Sequence, residues 1–233
     1  MEELLGKNDD ESQWLPISDL MSVLMMVFLL IAVSYMLRVN SEKEKIQEIA
    51  VTYNKLQDDL YEALNTEFKS DLKKWNAEID KSSLSIRFKS PEILFDRGIA
   101  DIKEEFKVIL KDFFPRFVNI LYSNKYKEDI EEIRIEGHTS SIWNATVGKD
   151  MAYIYNMKLS QDRTRNVLDY VLVNEKDEKL LSWIRKYVTA NGLSSSKQIL
   201  KSNGEENTEL SRRVEFRVKT NAEKRIAKIL LEQ

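Results

Sequence analysis

One stretch of this chain limits what it can be. From Leu20 to Leu37 no residue carries a charge, and only Ser22 and Ser34 interrupt the apolar side chains. As a helix the run spans about 27 Å, close to the ~30 Å hydrocarbon core of a bilayer. A secretory signal would need a basic start and a small-residue cleavage site. Residues 1–13 instead set Lys7 against Glu2, Glu3, Asp9, Asp10 and Glu11. A buried core helix would keep polar positions on one face, and this run does not. The run reads as a single transmembrane helix over 16–38. Pro16 is a favoured first-turn residue, and Trp14 suits the interface.

Every charged side chain, 36 Lys and Arg and 39 Asp and Glu, lies outside that run. The chain has no Cys, which excludes a disulfide scaffold, a thiol nucleophile and a thiolate metal site. Its single His, His138, excludes a His-rich zinc or iron centre. With 6 Gly and 3 Pro in 233 residues, a turn-rich β-sandwich and a phosphate-cradling glycine loop are both disfavoured. A net charge of -3 gives no global bias toward nucleic acid. The carboxylates do not pair in a recognisable hydrolase context, so no enzyme, no cofactor, no metal and no direct nucleic-acid binding are expected.

Asp19 borders the apolar run and supports two readings. Ser18 or Asp19 could cap a helix that starts at Leu20. Alternatively, Asp19 is an intramembrane carboxyl that binds and releases a cation, since an ionisable group in lipid marks an ion path by default. Burial raises a carboxyl pKa, which makes reversible protonation feasible. Ser22 and Met26 share its helical face. After the run, residues 41–81 contain no Gly or Pro. Apolar residues recur at Ile46, Ile49, Tyr53, Leu56, Leu60 and Ala63, then slip in phase to Leu64, Phe68, Leu72, Trp75 and Ile79. The stripe reads as a helical connector over 39–81 that forms a dimeric coiled coil. Its alternative is a helix packed on the chain's own domain.

The remainder, 82–233, alternates strand and helix patterns. Period-two runs occur at Ser85–Phe88, Ile133–Glu136 and Val214–Val218, with a weaker one at Lys197–Leu200. Helical patterns cover Ile99–Leu121, Ser160–Val173, Lys179–Ala190 and Ala222–Leu231. The fold class is therefore one N-terminal transmembrane helix followed by a two-layer sandwich of helices on a sheet.

Three motifs stand in order in this region: Ile-Glu-Gly-His-Thr at 135–139, Asn-x-x-Leu-Ser-x-x-Arg at 156–163 and Ser-Arg-Arg-Val-Glu-Phe at 211–216. Ile-Leu-Phe-Asp at 93–96 precedes a long helix upstream. The ordered set resembles the OmpA-like peptidoglycan-binding domain. Joined to one membrane helix led by Asp19, the chain resembles the MotB class of ion-driven stator subunits. The segment Ile17-Ser18-Asp19-Leu20-Met21 followed by Leu24–Leu29 is most similar to the ZorB family of the Zorya anti-phage system.

The resemblance implies an α+β, βαβαβ-type domain that binds the diaminopimelate-bearing peptide of peptidoglycan. It assigns Arg163 to the ligand carboxylate, Asn156 to the motif's amide, and Tyr155 and Leu159 to the pocket wall; Arg212 and Arg213 are family-like too, Arg212 counted among the binding residues and one of the pair supporting the pocket from outside. On the residues alone, Arg163 would be a solvated helix residue and Leu159 a core residue. Ser140 departs from the family, which places there an Asp that pairs with the ligand's amine. Asp150, in the insert 141–154, is a candidate substitute. His138 is expected to be structural.

The resemblance further implies a homodimer inside a ring of a second membrane protein similar to ZorA or MotA. Asp19 would carry the ion, with H⁺ preferred over Na⁺. A flagellar-type stator subunit and a passive membrane-to-wall anchor are the alternatives. Lys7 before the membrane helix and Arg38, Lys43, Lys45 and Lys55 after it would, by charge alone, place the C-terminal part in the cytoplasm. Wall binding requires the reverse: residues 1–15 inside, the helix in the inner membrane and 82–233 in the periplasm. The second orientation is preferred.

Overall fold

The structure is a computed structural model and describes residues 10–89 and 91–221. The expected tail 1–9 and the expected helix Ala222–Leu231 lie outside the described residues. The chain divides into two compact units, Met1–Thr52 and Tyr53–Gln233. Helix α1 (Asp10–Leu72) contributes to both.

In the first unit, Ile17–Glu48 is long and apolar enough to cross a membrane. Its apolar side chains face outward: Leu20 is 71% exposed, and Met25, Phe28 and Leu30 are similarly bare. An apolar surface of that length is the composition that lipid solvates. The helix starts at Asp10, six residues before Pro16 and nine before Asp19. Pro16 is therefore internal rather than a first-turn residue. Neither Ser18 nor Asp19 is an N-cap, because both already lie within helical turns. Ser22 donates its hydroxyl to the Ser18 carbonyl at 2.8 Å, which satisfies that group inside the apolar stretch.

The second unit begins earlier than the expected 82. Leu60, Leu64 and Phe68 on the last turns of α1 are fully buried, and Trp75 follows them into the same core. The alternative reading of the stripe thus holds from Leu56 onward: these residues cover the sheet's helical layer and leave no seam there for a second chain. The coiled-coil expectation is overturned for this part. Of the earlier stripe, Ile46 is exposed, while the side chains of Ile49 and Tyr53 lie outside the described residues. Arg116 clamps the packed end of α1. It lies 4.9 Å over the Phe68 ring and bonds Glu67 at 2.7 Å and Asp71 at 3.1 Å.

After α1 come β1 (Ala77–Asp80), β2 (Ser85–Phe88), α2 (Pro91–Leu94), α3 (Glu104–Tyr122), β3 (Ile130–His138), α4 (Lys149–Asn174), α5 (Glu178–Tyr187), β4 (Val188–Gly192), α6 (Thr208–Ser211) and β5 (Arg213–Thr220). The sheet order is β1-β2-β5-β3-β4. Among the described residues only β3 and β4 pair in parallel, joined by the α4–α5 crossover that a parallel pair requires. The other pairings are antiparallel. Phe106, Leu110, Phe113, Phe117 and Leu121 form one buried face of α3. Phe113 packs edge-on against Phe216 of β5 at 4.9 Å.

Five expectations change. The helix expected from Ser160 starts at Lys149, so the end of the insert 141–154 is helical. Residues 77–80 form an edge strand, because the helix stops at Leu72 and Asn76 adopts a positive φ of 47°. The third helix begins at Glu104 rather than Ile99. Gly98, at φ 73°, turns the chain, and Phe95 bridges Ile102. The helix expected to reach Ala190 stops at Tyr187, and the β-branched pair Val188–Thr189 opens β4 instead. Lys197–Leu200 makes only an isolated bridge from Leu200 to Glu206, so this segment folds back on itself.

Leu64→Ala and Phe68→Ala are expected to destabilise the α/β unit by about 2–5 kcal/mol each. Urea unfolding of the detergent-solubilised chain, followed by near-ultraviolet circular dichroism, measures this. Weakened self-association with an unchanged unfolding midpoint would restore the coiled-coil reading.

Candidate functional site

Two glycines set the height of α4 above the sheet. Gly137 of β3 and Gly192 of β4 are register partners. A methyl at 137 would lie 2.7 Å from Thr164 Cγ2 and 2.9 Å from the Ser160 carbonyl, and one at 192 would overlap the Gln161 backbone. The helix therefore lies directly on the strand ends. Ser194 locks its register, donating its backbone N–H to Ser160 Oγ at 3.1 Å and its hydroxyl to the Tyr153 carbonyl at 2.8 Å.

This placement opens a cavity of about 630 Å³ where β3 ends. Three cations line it: Arg97, Arg163 and Arg212. Its neutral polar residues are Thr139, Ser140, Asn144, Asn156 and Thr208, and its apolar wall is Phe95, Ile142, Trp143 and Leu159. Among the described residues no Asp or Glu lines it.

Of the residues read from the sequence, Ser140, Asn156, Leu159, Arg163 and Arg212 meet here. Asn156 is buried and donates from Nδ2 to the Ser140 carbonyl at 3.1 Å, so it fixes the end of the strand. Arg163 donates from Nε to the Ile99 carbonyl and from Nη2 to the Asp96 carbonyl, both at 2.9 Å. Its guanidinium lies 4.7 Å over the Phe95 ring. The turn created by Gly98 thus anchors the arginine, while Arg212 is held by the Thr208 carbonyl at 3.1 Å. Tyr155 is not part of the lining; it packs against Trp143 at 5.4 Å and backs that wall. Asp150 faces a neighbouring cavity and does not replace the expected acid.

Sequence reasoning missed Arg97 and Trp143, and named Phe95 only as part of the Ile-Leu-Phe-Asp segment. Arg97 directly follows the flagged Ile-Leu-Phe-Asp segment, where the expected helix start obscured a turn. Trp143 lies in the insert. Asn144 Oδ1 holds that loop by accepting from the Thr146 and Val147 backbone, each at 3.0 Å.

Burial, with Arg212 adding to it, pushes the Arg163 pKa down to about 10. Among the described residues neither guanidinium has a carboxylate ion-pair partner. The cavity is lined by positive charge, and a planar carboxylate is the kind of group that matches the free edge of a guanidinium fork.

Along β5 the next arginine, Arg213, is buried on the sheet face of Glu215, opposite Phe216. Arg213 bonds Glu215 at 2.5 Å, and Arg87 bonds the same carboxylate at 2.8 Å. The donor atoms of Glu136, His138 and Glu215 converge within 4.8 Å. Two guanidiniums already neutralise Glu215, so this cluster fits a structural charge network rather than a dication. His138 is buried with neither ring nitrogen hydrogen-bonded. Burial lowers its pKa despite Glu136 at 3.7 Å and Glu215 at 3.9 Å.

No protein-family profile matches the chain. Over 237 residues, covering all of both chains, it is 47% identical to the Zorya protein ZorB of Escherichia coli (strain Crooks). The chain belongs to the ZorB family. A ZorB protein from an Escherichia coli O139:H28 strain is 26% identical over 222 residues, covering 91% of this chain and 83% of that one. The crystal structure of a MotB-like protein from Desulfovibrio vulgaris aligns with a TM-score of 0.51 at 22% identity, covering 75% of this chain and 94% of that one. That likeness establishes a shared fold. It agrees with the expected mixed α/β sheet domain, while the apolar N-terminal helix stands on the chain's own structure.

In this ZorB-family chain the buried histidine makes stability depend on pH. The folded pKa of His138 is below its ordinary 6.5, so the unfolded chain binds the proton first. Stability is full above about pH 6.5 and falls as pH drops toward the folded value. His138→Gln is expected to flatten denaturant midpoints between pH 7 and 5. An unchanged slope would show that another group governs that window.

Proposed function

We propose that this chain is a stator-type subunit of an inner-membrane complex: it anchors to peptidoglycan through the arginine cavity and carries an ion on Asp19. It is a mechanical component rather than an enzyme, and it acts in anti-phage defence. The observation that carries the reading is the convergence of Asn156, Leu159, Arg163 and Arg212 on one anion-ready cavity. The same chain presents an apolar span, Ile17–Glu48, with the Asp19 carboxyl at its start. ZorB-family membership supports the defence setting and a ring-forming partner resembling ZorA.

The mechanics follow from charge and solvent. A carboxylate in lipid is costly and its neutral form much less so. Each protonation and release at Asp19 would therefore change how the helix sits against a surrounding ring. Two copies of the chain would present two such carboxyls alternately. Torque needs a fixed point, which the wall provides if the cavity holds a peptide carboxylate. This reading places residues 1–15 in the cytoplasm and the α/β unit in the periplasm, with H⁺ as the preferred ion.

Asp19→Asn is expected to preserve membrane insertion and complex formation while abolishing protection against phage. Plaque assays on cells carrying the complete system, with co-purification as the assembly control, measure this. Full protection by the variant would leave a passive anchor instead. A periplasm-active reporter fused at Gln233 should report periplasmic activity in the same cells.

A further inference from the structure

We propose that the arginine cavity selects wall-peptide carboxylates whose neighbouring amine is already acylated, as in a cross-linked peptide, and discriminates against the free-ammonium form. The inference rests on the peptidoglycan reading and specifies its ligand.

The charge inventory carries it. Arg97, Arg163 and Arg212 line the cavity, and among the described residues no acid does. Among the described residues, the carboxylates of Asp96, Glu206 and Asp150 are directed elsewhere. Asp96 contributes its carbonyl to Arg163, while its carboxylate lies 3.4 Å from Lys103. Glu206 accepts from the Ser141 backbone N–H at 3.0 Å and from its hydroxyl at 2.5 Å. Asp150 belongs to the neighbouring cavity. The strand end itself presents Ser140, a neutral hydroxyl.

An amino acid that bears both a carboxylate and a free amine is a zwitterion at neutral pH. Its carboxylate suits three guanidiniums; its ammonium does not. Desolvating that ammonium among like charges with no acid to pair it is unfavourable on both counts. Acylation converts the amine to an amide N–H, a neutral donor that hydroxyl and carbonyl acceptors can satisfy. A cross-link in the wall is such an amide. The volume of about 630 Å³ exceeds what one side chain fills, and Trp143, backed by Tyr155, offers an apolar wall for the second peptide.

The test uses the full chain in detergent and three defined muropeptides at neutral pH: an uncross-linked monomer, the same monomer N-acetylated on its side-chain amine, and the cross-linked dimer. Titration calorimetry is expected to show the acetylated monomer and the dimer binding at least about tenfold more tightly than the free-amine monomer, a difference of roughly 1.4 kcal/mol. Ser140→Asp, which supplies the missing charge, should narrow or reverse that gap. Equal or tighter binding of the free-amine monomer to the natural chain overturns the proposal. If that occurs while the chain is still retained on whole sacculi, the wall-anchoring reading survives. Absence of both binding and retention removes that reading as well.

Discussion

The close seating of α4 on the ends of β3 and β4 is the constraint on which the rest of the site depends. Gly137 and Gly192 are neighbours across the parallel pair, and neither position leaves room for a Cβ beneath the helix. With the helix this low, Thr164 and Ser160 sit against the sheet, and one helical face is carried over the strand end. Asn156 then reaches the Ser140 carbonyl, and Arg163 reaches the turn at 96–99. A helix held farther out would separate the arginine from that turn. The wide cavity therefore exists because two small residues let the layers meet beside it.

The same strand that completes the sheet divides the charges. Arg212 and Arg213 are adjacent at the start of β5, where alternating side chains take opposite directions. Arg213 lies on the sheet face opposite Phe216 and, with Arg87, neutralises Glu215. Arg212 turns to the cavity and meets Arg163, whose proton affinity it helps to lower. One buried carboxylate is thus over-supplied with guanidiniums, and the cavity above has guanidiniums without a carboxylate. The first arrangement is a buried charge network; on the proposed reading the second makes the cavity an anion site.

Much of this was legible in the sequence. Ser85–Phe88 coincides with β2, and the runs at Ile133–Glu136 and Val214–Val218 lie within β3 and β5, because period-two alternation is strong where one strand face is buried. Leu159 and Arg163 could be placed on one face from their spacing alone. The end of α1 was harder. Leu60, Leu64 and Phe68 have the same periodicity whether they meet a second chain or α3, and only the tertiary core decides between them. β4 was hidden behind an amphipathic pattern that continued into it. Arg97 and Trp143 lie on turns, where no period announces a side chain's direction, so the cavity's third cation and its aromatic wall emerged only from the fold.

Membership in the ZorB family sets the context, but the arginine cavity carries the physical claim that this chain holds an anionic wall ligand. The most direct measurement is retention of the full chain on purified sacculi, compared with Arg163→Ala in chains shown to unfold at the same denaturant concentration. Loss of a charge-assisted pair of about 1.5–3 kcal/mol should cut retention roughly tenfold or more. Unchanged retention of a properly folded Arg163→Ala chain would contradict the account.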